Sequence, residues 1–367
     1  YPYKNISSHI VGYVDIDQKG QSGIERYYEE DLILSKDIFI SLDVNLQQTV
    51  RQNLIDTINH YDAESGLAIV MEIDSGQILS SVSFPDYDPQ NNKSFTEKNL
   101  INRVFQSNYE MGSTFKPITA AMGFDIGVLK PNMTFDVKKK YLNIGDFDKP
   151  KGNGIYDIEK IIVESSNIGT AQMATKIGQI NQKKFFEKIG FTKRINIENN
   201  ETSHPLGNKN NWGPIETATI GFGHGYSVTP LHLVKAYATI SNEGIEVNPT
   251  LQLNKKTSNK QILKNKKSSR FFLNLLNSVV IKTEYTGPRV QIEGYQIGGK
   301  TGTSELINPN GGYYKDRNMT SFIGVFPINN PQFIVYTAVE YPQKPKDSKQ
   351  GMTGAVVNAP LVKKIIL

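Results

Sequence analysis

The chain of 367 residues has room for about two domains of ordinary size and a substantial core. Its 41 lysines and arginines against 36 aspartates and glutamates leave a formal charge of +5, with no basic helix interleaved with aromatics, so nucleic acid is not an expected partner. The absence of cysteine excludes disulfides, thiolate nucleophiles and cysteine-ligated metals, and no apolar run approaches the ~18 residues of a membrane span.

Before Ser35 the composition is polar and acidic around His9-Ile10-Val11-Gly12-Tyr13 and Gly23-Ile24-Glu25, and residues 1–35 read as the remnant of a separate module. The chain starts Tyr1-Pro2-Tyr3 without a methionine, so a removed leading segment is expected. Ile38 to Leu42 reads as a short strand, after which Asp43 is placed to cap a helix carrying Leu46, Val50, Leu54 and Ile58 on one face. Gly66 to Ile73 and Gln77 to Ser83, joined by Asp74-Ser75-Gly76, predict a hairpin. The middle is helical in character. Asp157 to Val163 reads as a short helix, Thr229-Pro230 opens a helix with Leu233, Tyr237 and Ile240 that Gly244 stops, and Ser268 and Ser269 cap another through Phe271, Leu275 and Ser278. Strands return with Phe322, Gly324 and Phe326, a turn from Pro327 to Pro331, then Phe333, Val335, Thr337 and Val339. Strands from both ends of the chain are expected to form one antiparallel sheet with the helical middle packed on it, an α+β fold. The lysine clusters, Lys138 to Lys140 and Lys255, Lys256, Lys260, Lys264, Lys266 and Lys267, read as solvated surface.

The stretch GYQIGGKTGTSE, Gly294 to Glu305, satisfies the phosphate-loop pattern G-x-x-x-x-G-K-[ST]. That loop works only where a helix follows at once, and here the turn cluster Asn308-Pro309-Asn310-Gly311-Gly312 leaves no room for one. The segment reads as a strand. The five histidines, His9, His60, His204, His224 and His232, form no metal-binding pair, and no G-x-S-x-G elbow is present, so a serine-histidine hydrolase is unsupported. His224 sits in a glycine-rich turn, where a structural role is at least as expected as a catalytic one.

Ser113 and Lys116, in Glu110-Met111-Gly112-Ser113-Thr114-Phe115-Lys116-Pro117, form the one S-x-x-K in the chain. Pro117 places the start of a helix near Ser113, so the two side chains share a face. A lysine kept neutral by burial or a nearby cation can take the serine's proton, and the helix N-terminus offers amides to an oxyanion. A capping serine and an exposed lysine give the same pattern. Ser165-Ser166-Asn167 follows, readable alone as a helix stop. Lys300-Thr301-Gly302 lies on its strand, which can run beside a bound peptide, the glycine leaving space for close approach.

S-x-x-K, S-x-N and K-T-G in this order resemble the constellation of penicillin-binding proteins and serine β-lactamases. Beyond the motifs, Tyr1-Pro2 with HIVGYV and SGIE resembles the last part of the pedestal of class B penicillin-binding proteins, giving domains of 1–35 and 36–367. ISLDVNLQ, SGQILSSVSFPDYDPQ, GFGHGYSVTPLHLVKAYATISNEG, SFIGVFPINNPQFIVYTAVEYP and GAVVNAP resemble their transpeptidase domain, the third in its division-specific form. The resemblance implies the penicillin-binding transpeptidase fold and a peptidoglycan D,D-transpeptidase that also reacts with β-lactams. Ser113 would attack the penultimate D-alanine carbonyl of a stem peptide ending in D-Ala-D-Ala, with Lys116 as base. Ser165 would relay a proton to the leaving nitrogen, and Asn167 would hold the substrate amide and position Lys116. Lys300 and Thr301 would lie beside the terminal carboxylate, Gly302 would be a further substrate-binding residue, and Lys300 would help to keep Lys116 neutral. Thr303 would bind that carboxylate and share the oxyanion hole with the Ser113 amide. No metal or organic cofactor is implied. The expected setting is a bacterial inner membrane, with a single N-terminal anchor absent here and the catalytic domain periplasmic. The expected partners are a polytopic glycan-polymerising glycosyltransferase and other division proteins.

Met111 departs from the family's usual proline, which puts the rigidity of the approach to the nucleophile in doubt. A class A β-lactamase would need a deacylating glutamate, for which Glu198 or Glu201 in NIENNETSHP are the candidates. That segment instead resembles the GFGxxTGIxLPGE loop of penicillin-binding proteins, with Phe191 and Trp212 in their expected places. A penicillin-sensing receptor would keep the serine and lysine without peptide transfer.

Overall fold

The computed structural model describes all residues except 208–211, 256–257, 309 and 347–349. Lys256 and Pro309 therefore lie outside the described residues. Helix α1 (Val44–His60) begins where the sequence places it, because Asp43 accepts from the amides of Asn45 (2.9 Å) and Leu46 (3.0 Å). Such a cap contributes about 1 kcal/mol. Val50, Leu54 and Ile58 are buried along one face. The strand expected from Ile38 to Leu42 does not form. Ile40 makes only an isolated bridge to Gln252; Ile38 and Ile40 pack against the core while Phe39 between them stays 69% exposed.

The hairpin of β1 (Ser65–Glu72) and β2 (Ile78–Phe84) is present, turned at Gly76 with φ +71°. From the other end of the chain come β3 (Gly298–Ile307), β4 (Tyr313–Phe326) and β5 (Phe333–Glu340). Together they make one five-stranded antiparallel sheet in the order β2-β1-β5-β4-β3. The ends of the chain meet where β1 pairs with β5, from Ser65 opposite Glu340 to Glu72 opposite Phe333. Both faces of this sheet are covered. Leu67, Ile69, Met71, Ile334 and Tyr336 face the helical middle, whereas Ala68, Val70, Val335 and Val339 face α1 and the C-terminal helix Gly354–Ile366. Burial on both sides is why β1 reads as an unbroken apolar run rather than an alternating one.

The helical middle differs from the sequence expectation mainly at helix ends. Helix Lys266–Lys282 is capped by Asn265, whose side chain accepts from the Ser268 amide at 3.2 Å, and not by Ser268 or Ser269. Those two serines are buried inside the helix, with hydroxyls donated to Asp125 and to the Ser241 carbonyl. Helix Pro230–Ser241 starts at the predicted Thr229 cap but ends before Gly244, and it is buried on every side. Its expected apolar face is therefore only part of its packed surface. The N-terminal segment is tied to the rest: Ile10 and Ile24 belong to the same core, the Tyr87 hydroxyl donates to the Ser8 carbonyl (2.8 Å), and Asn102 Nδ2 donates to that of His9 (3.0 Å).

Candidate active site

Strand β3 is an edge strand of the sheet and, among the described residues, pairs only with β4, leaving its other edge open beside the helical middle. It runs on to Ile307 as strand, as the sequence indicated, so the phosphate-loop reading has no helix to rest on. Lys300 points inward and is only 1% exposed. Gly302 has a packing reason as well. A Cβ there would fall within 3.0 Å of Thr114 Cγ2 and 3.2 Å of the Met111 carbonyl, besides colliding with the Ser321 hydroxyl. The glycine thus admits the serine-bearing turn against the strand.

That turn is a 3-10 helix, Gly112–Phe115, which passes into an α-helix at Lys116–Asp125. The Lys116 amide donates to the Ser113 carbonyl, an i to i+3 bond. Side chains three apart eclipse in such a turn, so Ser113 and Lys116 stand one above the other more directly than an α-helix would place them. The turn is pinned from several sides. Thr114 Oγ1 donates to the Met111 carbonyl (2.7 Å), the buried Tyr237 hydroxyl donates to the Thr114 carbonyl (2.6 Å), and Phe115 packs on Phe186 and Phe191. Met111 is 1% exposed with φ −80°, close to the angle a proline holds, so the departure at this position leaves the approach packed rather than loosened. Gly112, at φ +53°, lies against β3: a Cβ on it would sit 2.8 Å from the Thr303 carbonyl.

Ser165, from the second motif, joins the two lysines. Its φ of +55° lets its carbonyl and its hydroxyl turn to the same side. Lys116 Nζ donates to both, at 3.2 Å for the hydroxyl, and Lys300 Nζ donates to the same hydroxyl at 3.1 Å. Lys300 Nζ also reaches the Thr301 carbonyl (3.2 Å) and hydroxyl (3.4 Å). Burial, reinforced by the neighbouring Lys300 ammonium and opposed by Asp146, holds Lys116 well below the ordinary lysine range. Burial alone pulls Lys300 down to about 7. Asn167 Nδ2 donates to the Gly145 carbonyl at 3.4 Å, so the hydrogen bonds that fix Lys116 here come from Ser165. Thr301 is half-buried and Thr303 exposed on the open edge of β3.

The depressed lysine carries a stability signature. Between pH 7 and 10.5 the unfolded chain holds a proton on Lys300 that the folded chain has lost, so this group makes stability rise with pH across that window. Lys300→Met is expected to remove that part of the slope, as urea unfolding at several pH values would show.

A cluster not assigned from sequence flanks the turn. Glu110 accepts from His224 Nδ1 (2.8 Å), the Tyr313 hydroxyl (2.7 Å) and the Gly225 amide (2.9 Å), and the His224 and Tyr313 rings stack 5.0 Å apart. It ties the serine-bearing segment, the glycine-rich turn and the β3–β4 hairpin to one carboxylate. Burial pushes the Glu110 carboxyl up, but the bonds from His224, Tyr313 and Gly225 outweigh it and leave it below 4.5, while Glu110 raises His224 above 6.5. The glutamate's contribution is lost as pH falls through its lowered pKa, and the histidine's as pH rises through its raised one. The thermal stability lost in His224→Gln is therefore expected to be greatest between pH 4.5 and 6.5 and to shrink on either side. The effect is modest because the His224 side chain is 41% exposed. No local pattern could have paired residues so far apart in sequence. Beyond Thr303 a cleft of ≈ 380 Å³ continues along β3, lined by Arg103, Tyr109, Glu110, Ser304, Glu305 and Glu340. Among the described residues no group of three or more histidines, aspartates or glutamates is placed to hold a metal ion.

Residues 66–367 match the family model of the penicillin binding protein transpeptidase domain. Across its full length the chain is 29% identical to the probable peptidoglycan D,D-transpeptidase FtsI of Caulobacter vibrioides, covering 64% of that protein. It is 30% identical to stage V sporulation protein D of Bacillus subtilis, again over its full length, covering 62%. The chain thus spans less than two thirds of either relative. The fold superposes on penicillin binding protein 3 of Mycobacterium tuberculosis with a TM-score of 0.86, at 24% identity, over 100% of this chain and 88% of that one. The family match takes in the sheet from Gly66 onward and all three motifs, so the chain belongs to the penicillin-binding protein transpeptidase family, in its class B branch.

Proposed function

We propose that this chain is the catalytic part of a peptidoglycan D,D-transpeptidase acting in septal wall synthesis, and that β-lactams acylate it. The observation that carries the reading is the junction at Ser165, whose hydroxyl bridges a lysine of depressed pKa one turn from Ser113 to the lysine of an open edge strand. Ser113 Oγ attacks the penultimate D-alanine carbonyl as Lys116 takes its proton. The proton passes through Ser165 to the leaving nitrogen, the C–N bond breaks, and D-alanine departs. The amine of a second stem peptide then attacks the ester and restores the serine. The donor lies along β3 with its carboxylate at Lys300, Thr301 and Thr303, and Gly302 lets the serine-bearing turn pack against that site. Asn167 holds the donor's amide, while Ser165 steadies Lys116. The amides of Ser113 and Thr303 form the oxyanion hole, a reading supported by the approach of Gly112 to Thr303.

The lactamase alternative is disfavoured by where its glutamates are engaged. Glu198 is bound to Thr250 (2.9 Å), the Leu251 amide (2.8 Å) and Lys255 (2.5 Å), and Glu201 to the Gly23 amide (2.8 Å). Residues 1–35 are assigned to the end of a pedestal module and 36–367 to the transpeptidase domain. The working location is the periplasmic face of an inner membrane, beside a glycan-polymerising glycosyltransferase and other division proteins. No helix among the described residues is long and apolar enough to cross a membrane.

The test supplies a peptide ending in D-Ala-D-Ala with an excess of a labelled D-amino acid. Exchange of the terminal residue into the product supports transpeptidation. Acylation by benzylpenicillin without exchange identifies a sensor, and rapid release of penicilloate a lactamase.

A further inference from the structure

The loop residue Asp146, absent from all three motifs, grips the second of them. Its Oδ1 accepts from the amides of Asn167 (2.5 Å) and Ile168 (3.0 Å), and its Oδ2 from the Ser166 hydroxyl (2.7 Å). Ser166 in turn accepts from the Gly169 amide (3.0 Å) as the N-cap of helix Asn167–Ile177. Asp146 and Ser166 between them satisfy the first three amides of that helix, which have no partner within it. The carboxylate also faces the positive end of the helix. On the other side of Ser165 the preceding helix, Ile158–Val163, closes with the Ser165 amide bonded to the Ile162 carbonyl at 3.3 Å.

Ser165 is therefore held between two fixed ends, and it sits at positive φ, where a residue with a Cβ is strained. That conformation aims both its carbonyl and its hydroxyl at Lys116. We propose, on the proposed transpeptidase reading, that Asp146 is a positioning residue for acylation: it clamps the Ser165-Ser166-Asn167 turn so that Ser165 stays between Lys116 and Lys300, and its charge counters that of Lys300 at Lys116. Released from the clamp, Ser165 relaxes toward negative φ and its carbonyl swings off Lys116. The two charged groups acting on Lys116 are Lys300, on β3, which favours its neutral form, and Asp146, on this loop, which favours its charged form.

Asp146→Asn keeps an oxygen for the two amides but removes the charge, and Asp146→Ala removes both. The measurement is the second-order rate of acylation by benzylpenicillin against pH, with a crystal structure of Asp146→Ala. The acidic limb of the profile in Asp146→Asn is expected to move to lower pH by roughly half a unit or more, because Lys116 loses the group that favours its charged form. Asp146→Ala is expected to lose about tenfold or more in the plateau rate as the turn relaxes. A simple helix cap would lower the melting temperature of both variants and leave the limb in place. Parent-like limb and plateau in both would overturn the proposal. Should Asp146→Ala fail to fold, the limb of Asp146→Asn decides. Should the parent take up no acyl group, the transpeptidase reading fails on its own account. The position of Ser165 in the Asp146→Ala crystal then decides, an unchanged turn sinking the proposal.

Discussion

Ser113→Ala is expected to take up no covalent adduct from benzylpenicillin, and Lys116→Met to acylate ~10²–10⁴-fold more slowly than the parent, the range lost when a positioned general base is removed. The alanine result follows from removing the atom that forms the ester. The methionine result is the sharper one, because it separates chemistry from folding. Lys116 is fully buried, and its side chain is close in length to methionine, so the substitution neither opens a cavity nor crowds the core. It removes the cost of burying an amine but leaves the Ser165 carbonyl without its donor, and the two effects are of similar size, each about 1–3 kcal/mol. The melting temperature should stay near that of the parent while the rate collapses. Intact mass after timed incubation reads the rate, and peptide mapping places the adduct. If Lys116→Met acylates at the parent rate, the base is elsewhere, and Lys300, joined to the same Ser165 hydroxyl, becomes the candidate.

The order of the three motifs was legible because each is a short local pattern whose side chains must converge whatever the intervening chain does. The hairpin and the C-terminal strands were legible from their apolar runs, and the helix after Asp43 from its cap. What local pattern could not supply was the packing reason for the glycines. Gly302 reads in sequence as room for a ligand, and it also has Thr114 and Met111 as neighbours, brought to it by the packing of the helical middle on the sheet. The Asn265 cap was missed for a similar cause. Serines at 268 and 269 are good caps in isolation, yet their hydroxyls are drawn to Asp125 and to the Ser241 carbonyl, partners that only the tertiary fold provides. Glu110 and Asp146 escaped notice because a carboxylate acquires a role from the donors around it, and those donors come from distant segments.

The glycine-rich turn offers the second large effect. Gly223 has φ +81°, and a Cβ there would overlap the Gly112 carbonyl and lie 2.7 Å from the Gly112 nitrogen, both backbone atoms that cannot swing aside. The Gly223 carbonyl also accepts the Gly112 amide at 3.1 Å, one residue before Ser113. Gly223→Ala is expected to cost ~2–4 kcal/mol, summing a left-handed backbone angle and a clash that must move one chain or the other. Gly225→Ala is the internal control. Its φ of +83° is as unfavourable, but its Cβ would meet nothing nearer than Thr219 Oγ1 at 3.7 Å, so it carries the angle cost alone, about 1–2 kcal/mol. Thermal unfolding should rank parent, Gly225→Ala and Gly223→Ala in falling order. Acylation at Ser113 should fall much further in Gly223→Ala than in Gly225→Ala, because only the first displaces the turn that carries the nucleophile. Equal losses of rate in the two would mean that the turn tolerates displacement, and that the serine is positioned chiefly from the other side, by Tyr237 and the aromatic packing of Phe115.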